Sequence, residues 1–167
     1  MDNKPSNINM RISPDFNNLN YMNRLFKWIP SEENIRPKDD ILYRKYIDSL
    51  VSKIIYASYV DQVYILIFNL DYEFNENIKL VAKNTHQCKL KVFVKNKYPY
   101  DLPESTRHYI MWYSCTKDNL TDVIINQDIK ESLYELLDHN NFEFVWYENP
   151  KMSIPDIYHV QVFWHII

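Results

Sequence analysis

Downstream of Pro37, hydrophobic positions recur at helical spacing. Tyr43, Ile47, Leu50, Val51, Ile54 and Ile55 fall on one face of a helix of about four turns, and Arg44, Lys45, Asp48 and Lys53 form its polar stripe. Pro37 can open such a helix, and Asp39 and Asp40 carry charges that suit its first turn. Ser58 with Asp61 three residues on resembles a capping box, which predicts a second helix running through Tyr64 to Phe68, with a strand as the alternative because of its β-branched content. After a polar stretch over 71–77 the period changes to two. Along 88–97, Lys89, Lys91, Phe93, Lys95 and Lys97 point one way and Leu90, Val92 and Val94 the other. The next strand places His108, Ile110 and Trp112 on one face and Tyr109, Met111 and Tyr113 on the opposite one. Asn126 is a plausible N-cap for a helix with Ile129, Leu133, Leu136 and Leu137 as its apolar stripe, and strands follow over 142–147 and 158–166. The pattern predicts an α+β domain, an antiparallel sheet of about four or more strands packed with two to three helices.

Composition narrows what such a domain can do. The chain has 167 residues, 46% hydrophobic and 25% charged, with a formal charge of −3 and no glycine. An average chain of this length carries roughly a dozen glycines. Their absence excludes the dinucleotide fingerprint, the P-loop, the kinase glycine loop, the serine-hydrolase elbow and the EF-hand loop. It also forces turns onto proline and onto asparagine, which occupies the left-handed region at some cost. Abundant Asn, Ile, Lys and Tyr match A/T-rich codons, as in a large DNA virus or a protist. The two cysteines, Cys88 and Cys115, are too far apart for a CxxC pair, which predicts a reducing, cytoplasmic setting (host cytoplasm for a viral protein). Residues 1–20 read as a flexible arm and 21–167 as a single domain, with 21–30 apolar enough to dock on it and no run long enough to span a bilayer.

Four groups of residues are candidates for chemistry. Six lysines and no carboxylate lie between Asn77 and Tyr100. Among them, Lys89, Lys91, Lys95 and Lys97 form either an anion-binding face for phosphate or RNA, or the protected edge of a sheet. Trp112, Trp146 and Trp164 fall in predicted strands, where they either pack the core or pair around a base, a cap structure or a sugar ring. His108 and His159 meet on one side of the sheet if their strands are neighbours, and can then serve as acid and base or as structural histidines. His86, Cys88, His108 and Cys115 match no zinc spacing, so no metal or other cofactor is expected. Asp101, Glu104, Glu148 and Asp156 flank the same segments as the two histidines.

The string NKYPYDLPESTRHYIMWYS and, after a helix, FVWYENPKMSIPDIYHVQVFW resemble the fungal family of N-acetylglucosamine-induced proteins, an uncharacterised domain also seen in large viruses. The matching positions are Asn96, Pro99, Tyr100, His108, Trp112, Asn149, Pro150, Ser153, Pro155 and His159. Family members often carry an acidic residue where Lys97 stands and a second histidine where Gln161 stands, so a His-x-His metal pair is not implied here. The resemblance implies a small intracellular α+β protein without an established reaction.

Both proline-bearing segments, 96–103 and 149–155, precede strands that open near a histidine. Proline-stiffened loops at the end of a sheet suit the positioning of polar groups. The expectation is one polar cleft lined by Asn96, Tyr100, His108, Asn149, Ser153 and His159, with Trp112 as its apolar wall; Gln161, on the same face of the last strand as His159, is a further ligand-binding candidate. It would bind a small polar ring-containing ligand, a sugar or nucleotide derivative. The alternatives are an enzyme that uses His108 and His159 on such a ligand, and an RNA, cap or protein interaction module built on the lysine strand.

Overall fold

Two segments that are apolar at most positions, Arg107–Tyr113 and His159–Ile166, pair antiparallel at the centre of the molecule, with Ile110 opposite Gln161 and Trp112 opposite His159. The computed structural model describes residues 37–86, 90–102, 105–149 and 154–167. Helices α1 (Asp39–Ile55) and α2 (Tyr59–Leu66) are followed by strands β1 (Tyr72–Phe74), β2 (Leu80–Ala82), β3 (Lys91–Lys95) and β4 (Arg107–Tyr113). Helix α3 (Asp122–Leu137) then leads to β5 (Phe142–Tyr147) and β6 (His159–Ile166). Four strands form an antiparallel sheet in the order β3-β4-β6-β5, and β1 pairs with β2 in a separate hairpin. The architecture is α+β. The predicted arm over 1–20 and the apolar segment over 21–30 lie outside the described residues. Among the described residues, no helix is long and apolar enough to cross a membrane.

Strand β6 is covered on both faces. On one side Met111, Val160, Val162 and Trp164 pack with Trp146 against Ile125, Ile129 and Leu133 of α3. On the other, Trp112 and Ile157 pack with Val63 of α2 and Phe68. Burial on both faces explains why β6 reads as an almost continuous apolar run rather than a strict alternation. The three strand tryptophans are therefore divided by the sheet, Trp112 facing α2 and Trp146 and Trp164 facing α3. No sandwich of Trp112 with either of the others forms.

Local chemistry sets most element ends. The Ser58 hydroxyl caps α2 by accepting the Asp61 N–H at 3.1 Å while donating to the Asp61 carboxylate at 2.5 Å. The second Asp61 oxygen accepts the Ala82 N–H at 2.9 Å, so the same carboxylate ties β2 to the helix. Helix α3 begins at Thr121, whose hydroxyl accepts the Ile124 N–H, and not at Asn126. The β-branched run Val123, Ile124, Ile125 hides this start from propensity, yet Ile125 packs into the core and carries the helix through it. Helix α1 runs as expected, but its orientation is the reverse of a core-facing amphipathic helix. Lys45, Asp48, Ser49 and Ser52 face the sheet, while Tyr43, Leu50 and Ile54 are 67%, 39% and 73% exposed.

The polar stretch over 71–77 contains β1 and the hairpin turn that follows it, both missed by periodicity because the strands are three residues long. The Asn75 side chain organises this turn, accepting N–H bonds from Asn77 and Lys79 at 3.0 Å each. Without glycine, the left-handed positions fall to Asn69, Asn84 and Asp138, and in this hairpin to Ile78 at φ 58°. A β-branched residue in that region carries a steric penalty of about 1–2 kcal/mol. Ile78 is 79% exposed and so recovers little of it by packing. Ile78→Asn is expected to stabilise the protein by about 1 kcal/mol, raising the thermal midpoint by about 2–4 °C in calorimetry.

Candidate functional site

The loop over 96–101 folds back onto the α2-facing side of the sheet and is held there by His108. The Asn96 N–H donates to the His108 carbonyl at 2.9 Å, and the Tyr98 N–H donates to the Asn96 side-chain oxygen at 2.8 Å. The Tyr100 N–H donates to His108 Nδ1 at 3.1 Å. The Tyr100 ring lies 4.6 Å from the imidazole and its hydroxyl is 2.9 Å from that of Tyr147. Pro99 restricts the chain between these anchors.

These contacts fix the protonation state of His108. Nδ1 is an acceptor, so the proton sits on Nε2, which donates to Gln161 Oε1 at 2.6 Å. Because the Asn96 oxygen is already occupied by Tyr98, its amide nitrogen is the atom facing His108, 3.2 Å away. Two donors cannot bond each other, so this amide serves Gln161 Oε1 at 3.4 Å. Burial pushes the His108 pKa down to about 4, against a partial opposing effect of the Gln161 bond. His108 is a neutral, fully engaged structural histidine that pins the loop.

Above this side of the sheet lies a cavity of about 480 Å³, roofed by α1 and α2. Val94, Ile110, Trp112, His159 and Gln161 form its floor, and Asn96, Tyr100 and Asn149 lie at its border. Its roof contributes Ser52 and Gln62, groups that sequence reasoning did not select. Lys45, Asp48 or Ser49, and Ser52 recur at three- and four-residue steps, so the polar stripe of α1 extends through two small serines to the cavity. His108 is on the same face as the floor but is covered by the loop over 96–101 and does not line the cavity.

His159 differs from His108 in its environment. Its Nδ1 hydrogen bonds the Ile157 carbonyl at 2.8 Å, which places the proton on Nδ1 and leaves Nε2 as an acceptor. Its ring packs 4.2 Å from that of Trp112. Burial lowers its pKa, partly offset by the Ile157 bond and by the charge of Glu148. The two histidines share a face, as expected, but they do not meet. His108 is opposite Phe163 and His159 opposite Trp112, so the register separates them by four residues, about 13 Å along the strands. A direct acid–base pair between them is excluded by that spacing.

The lysine ladder is likewise divided. β3 is one of the two edge strands of the sheet, with β5 at the other edge. Lys91 reaches Asp128 of α3 at 2.6 Å and Glu131 at 3.6 Å, and the Asp128 bond raises its pKa. Lys97 turns to the other side, bonding Asp48 of α1 at 2.8 Å, where the Tyr98 hydroxyl also donates to Asp48. The Lys97 bond lowers the Asp48 pKa. Lys95 borders the cavity, and Lys89 lies outside the described residues. Lys91 and Lys97 therefore tether opposite helices and do not share one basic surface. Of the candidate carboxylates, Glu148 is engaged by the Tyr158 hydroxyl at 3.1 Å and by Lys117, and Asp101 by Lys38. Ser153, Glu104, Pro150 and Cys88 lie outside the described residues. Among the described residues no group of three or more His, Cys, Asp or Glu side chains is arranged to hold a metal.

No family model and no curated protein matches the chain. A solved structure described as "Crystal Structure of HTC1" is similar at 14% sequence identity, covering 87% of this chain and 84% of that one, with a TM-score of 0.49.

The state of His108 has a consequence for acid stability. From pH 6.5, its ordinary value, down to about 4, the unfolded chain takes up a proton that the folded imidazole does not. The stability associated with neutral His108 is thus complete above pH 6.5, falls as the pH drops towards 4 and is absent below. The gap corresponds to about 3 kcal/mol. His159 slopes in the same direction. Urea unfolding at pH 7 and pH 4.5 is expected to show a smaller loss of stability in His108→Gln than in the unmodified chain, although His108→Gln is less stable at pH 7.

Proposed function

We propose that the protein binds a small, hydroxyl-bearing ring compound, a sugar or nucleotide derivative, in the cavity between the sheet and helices α1 and α2. The observation that carries this reading is a set of three buried polar side chains on the cavity wall. Ser52, His159 and Gln161 are 8%, 6% and 6% exposed, and all three line the cavity. Buried polar atoms ordinarily find partners inside the protein. Here His159 uses Nδ1 and Gln161 uses its carbonyl oxygen, which leaves an imidazole acceptor and an amide donor for a ligand, beside the Ser52 hydroxyl. Val94, Ile110 and Leu66 supply apolar surface for the faces of a ring. A volume of about 480 Å³ is within the range of small-molecule sites and accommodates a monosaccharide or a nucleoside.

The residues that carry the resemblance to the fungal N-acetylglucosamine-induced proteins support the same location. Asn96, Tyr100, Trp112, Asn149 and His159 all border this cavity. The geometry favours binding over a two-histidine enzyme, since His108 is covered by the loop over 96–101. It also favours a small ligand over RNA, since Lys91 and Lys97 are each paired with helix carboxylates.

A thermal-shift panel of monosaccharides, N-acetylated sugars, sugar phosphates and nucleosides tests the proposal. A true ligand at 100-fold over its Kd stabilises by about 2.7 kcal/mol, a rise of about 5–10 °C for a domain of this size. Ser52→Leu, which extends a side chain into the cavity, is expected to keep the fold and abolish that rise. If no compound in the panel shifts the midpoint and Ser52→Leu stabilises the protein, the cavity is a packing defect and the proposal fails.

A further inference from the structure

The charges that line the cavity do not balance. Among the described residues they are Lys45, Asp48, Lys95 and Lys97, three cations and one carboxylate, in a chain whose formal charge is −3. The carboxylate is already committed, since Asp48 accepts the Lys97 ammonium at 2.8 Å and the Tyr98 hydroxyl. Lys45 stands beside this pair, its ammonium 5.8 Å from the centre of the Tyr98 ring, and the Lys97 ammonium is 5.6 Å from the same centre. Among the described residues no carboxylate lies within ion-pair distance of Lys45. Arg44, the neighbour of Lys45 on α1, acts on Asp48 through its charge and adds to the surplus. Lys95 shares the α3-facing side of β3 with Phe93 and is not part of this cluster.

We propose that the ligand of this cavity is a phosphate monoester of a ring compound, a sugar phosphate or a nucleoside monophosphate, with its ring beside Ser52, His159 and Gln161 and its phosphate on Lys45. This rests on the ring-binding role proposed for the cavity and adds the charged end of the ligand. Lys45, Ser49 and Ser52 follow one another at steps of four and three, so the lysine and the buried hydroxyl share one face of α1, about 10 Å apart along its axis. A phosphate ester carries its ring and its charge at separate ends of one molecule, which matches a wall that is polar at Ser52 and cationic at Lys45. Arg44, Lys45 and Lys97 exceed Asp48 by two charges, and a phosphate monoester brings about −1.5 to −2 at pH 7, whereas a carboxylate brings one. A chain without glycine has no glycine-rich loop to hold phosphate on its backbone amides, and Asp39 and Asp40 in the first turn of α1 repel an anion there. Side-chain ammonium groups take that role instead.

Titration calorimetry of the full chain tests this with matched pairs: glucose and glucose phosphate, ribose and ribose phosphate, adenosine and adenylate, uridine and uridylate, with inorganic phosphate alone as a further arm. For the ring that fits, the phosphate ester is expected to bind at least about tenfold more tightly than its parent. Lys45→Gln is expected to keep the circular dichroism spectrum and to reduce that advantage to about twofold, and Lys45→Arg to retain it. Equal binding of parent and ester overturns the phosphate assignment and leaves the ring-binding role standing. An advantage that survives Lys45→Gln overturns the placement of the phosphate on Lys45. Inorganic phosphate binding as tightly as the esters marks the cluster as a site for an adventitious ion only and overturns the proposal. Binding by no compound overturns the proposal together with the ring-binding role.

Discussion

A strand covered on both faces leaves its polar side chains few partners, and β6 is such a strand. Its residues from His159 to Trp164 are all buried. Two of them, His159 and Gln161, are polar, and their demands organise everything on that side of the sheet. Gln161 accepts hydrogen bonds from His108 and from Asn96, which fixes the His108 proton on Nε2 and frees Nδ1 to hold the loop through the Tyr100 N–H. The loop in turn carries Lys97 and Tyr98 to Asp48, which secures the roof of the cavity. One buried amide thereby connects strand, loop and helix, and in a buried setting each link depends on the others being made.

The side facing α3 obeys a simpler rule. There Met111, Ile125, Ile129, Leu133, Val160 and Val162 are fully buried and apolar. The Asp128 carboxylate at the margin takes the Lys91 ammonium and the Tyr113 hydroxyl, and burial beside that carboxylate raises the Tyr113 pKa. The buried polar side chains that line a cavity, Ser52, His159 and Gln161, are all on the side facing α1 and α2, whereas the α3 side is an apolar core that encloses the indole N–H groups of Trp146 and Trp164. This division is the reason for placing a ligand with α1 and α2 rather than with α3.

Much of this was legible in the sequence where a period acts over several residues. The alternation through Val92, Val94, Ile110 and Trp112 gave the correct face for each, and the Ser58–Asp61 pair marked the start of α2 because capping is local chemistry. Periodicity located the stripe of α1 but could not orient it, since a helical period shows that two faces differ without showing which one meets the sheet. The hairpin of β1 and β2 was invisible because three-residue strands are too short to establish a period. Of the residues expected on one cleft, Asn96, Tyr100, Asn149 and His159 border one cavity and His108 does not. The different fates of the two histidines were not legible, because they depend on strand register and on where the roof ends.

The roof of the cavity is attached in an unusual manner. Ser52 is the buried residue of α1, and polar contacts join the helix to its neighbours: Lys97 and the Tyr98 hydroxyl on Asp48, and the Lys79 ammonium on the Lys53 carbonyl. Lys97 is 69% exposed and Asp48 33% exposed at the side chain, and ion pairs so placed are weakened by dissolved salt. Burial-driven attachments respond to heat, whereas this one responds to ionic strength. Added salt is therefore expected to weaken the hold of the 96–101 loop on α1 while leaving the apolar packing beneath α3 untouched.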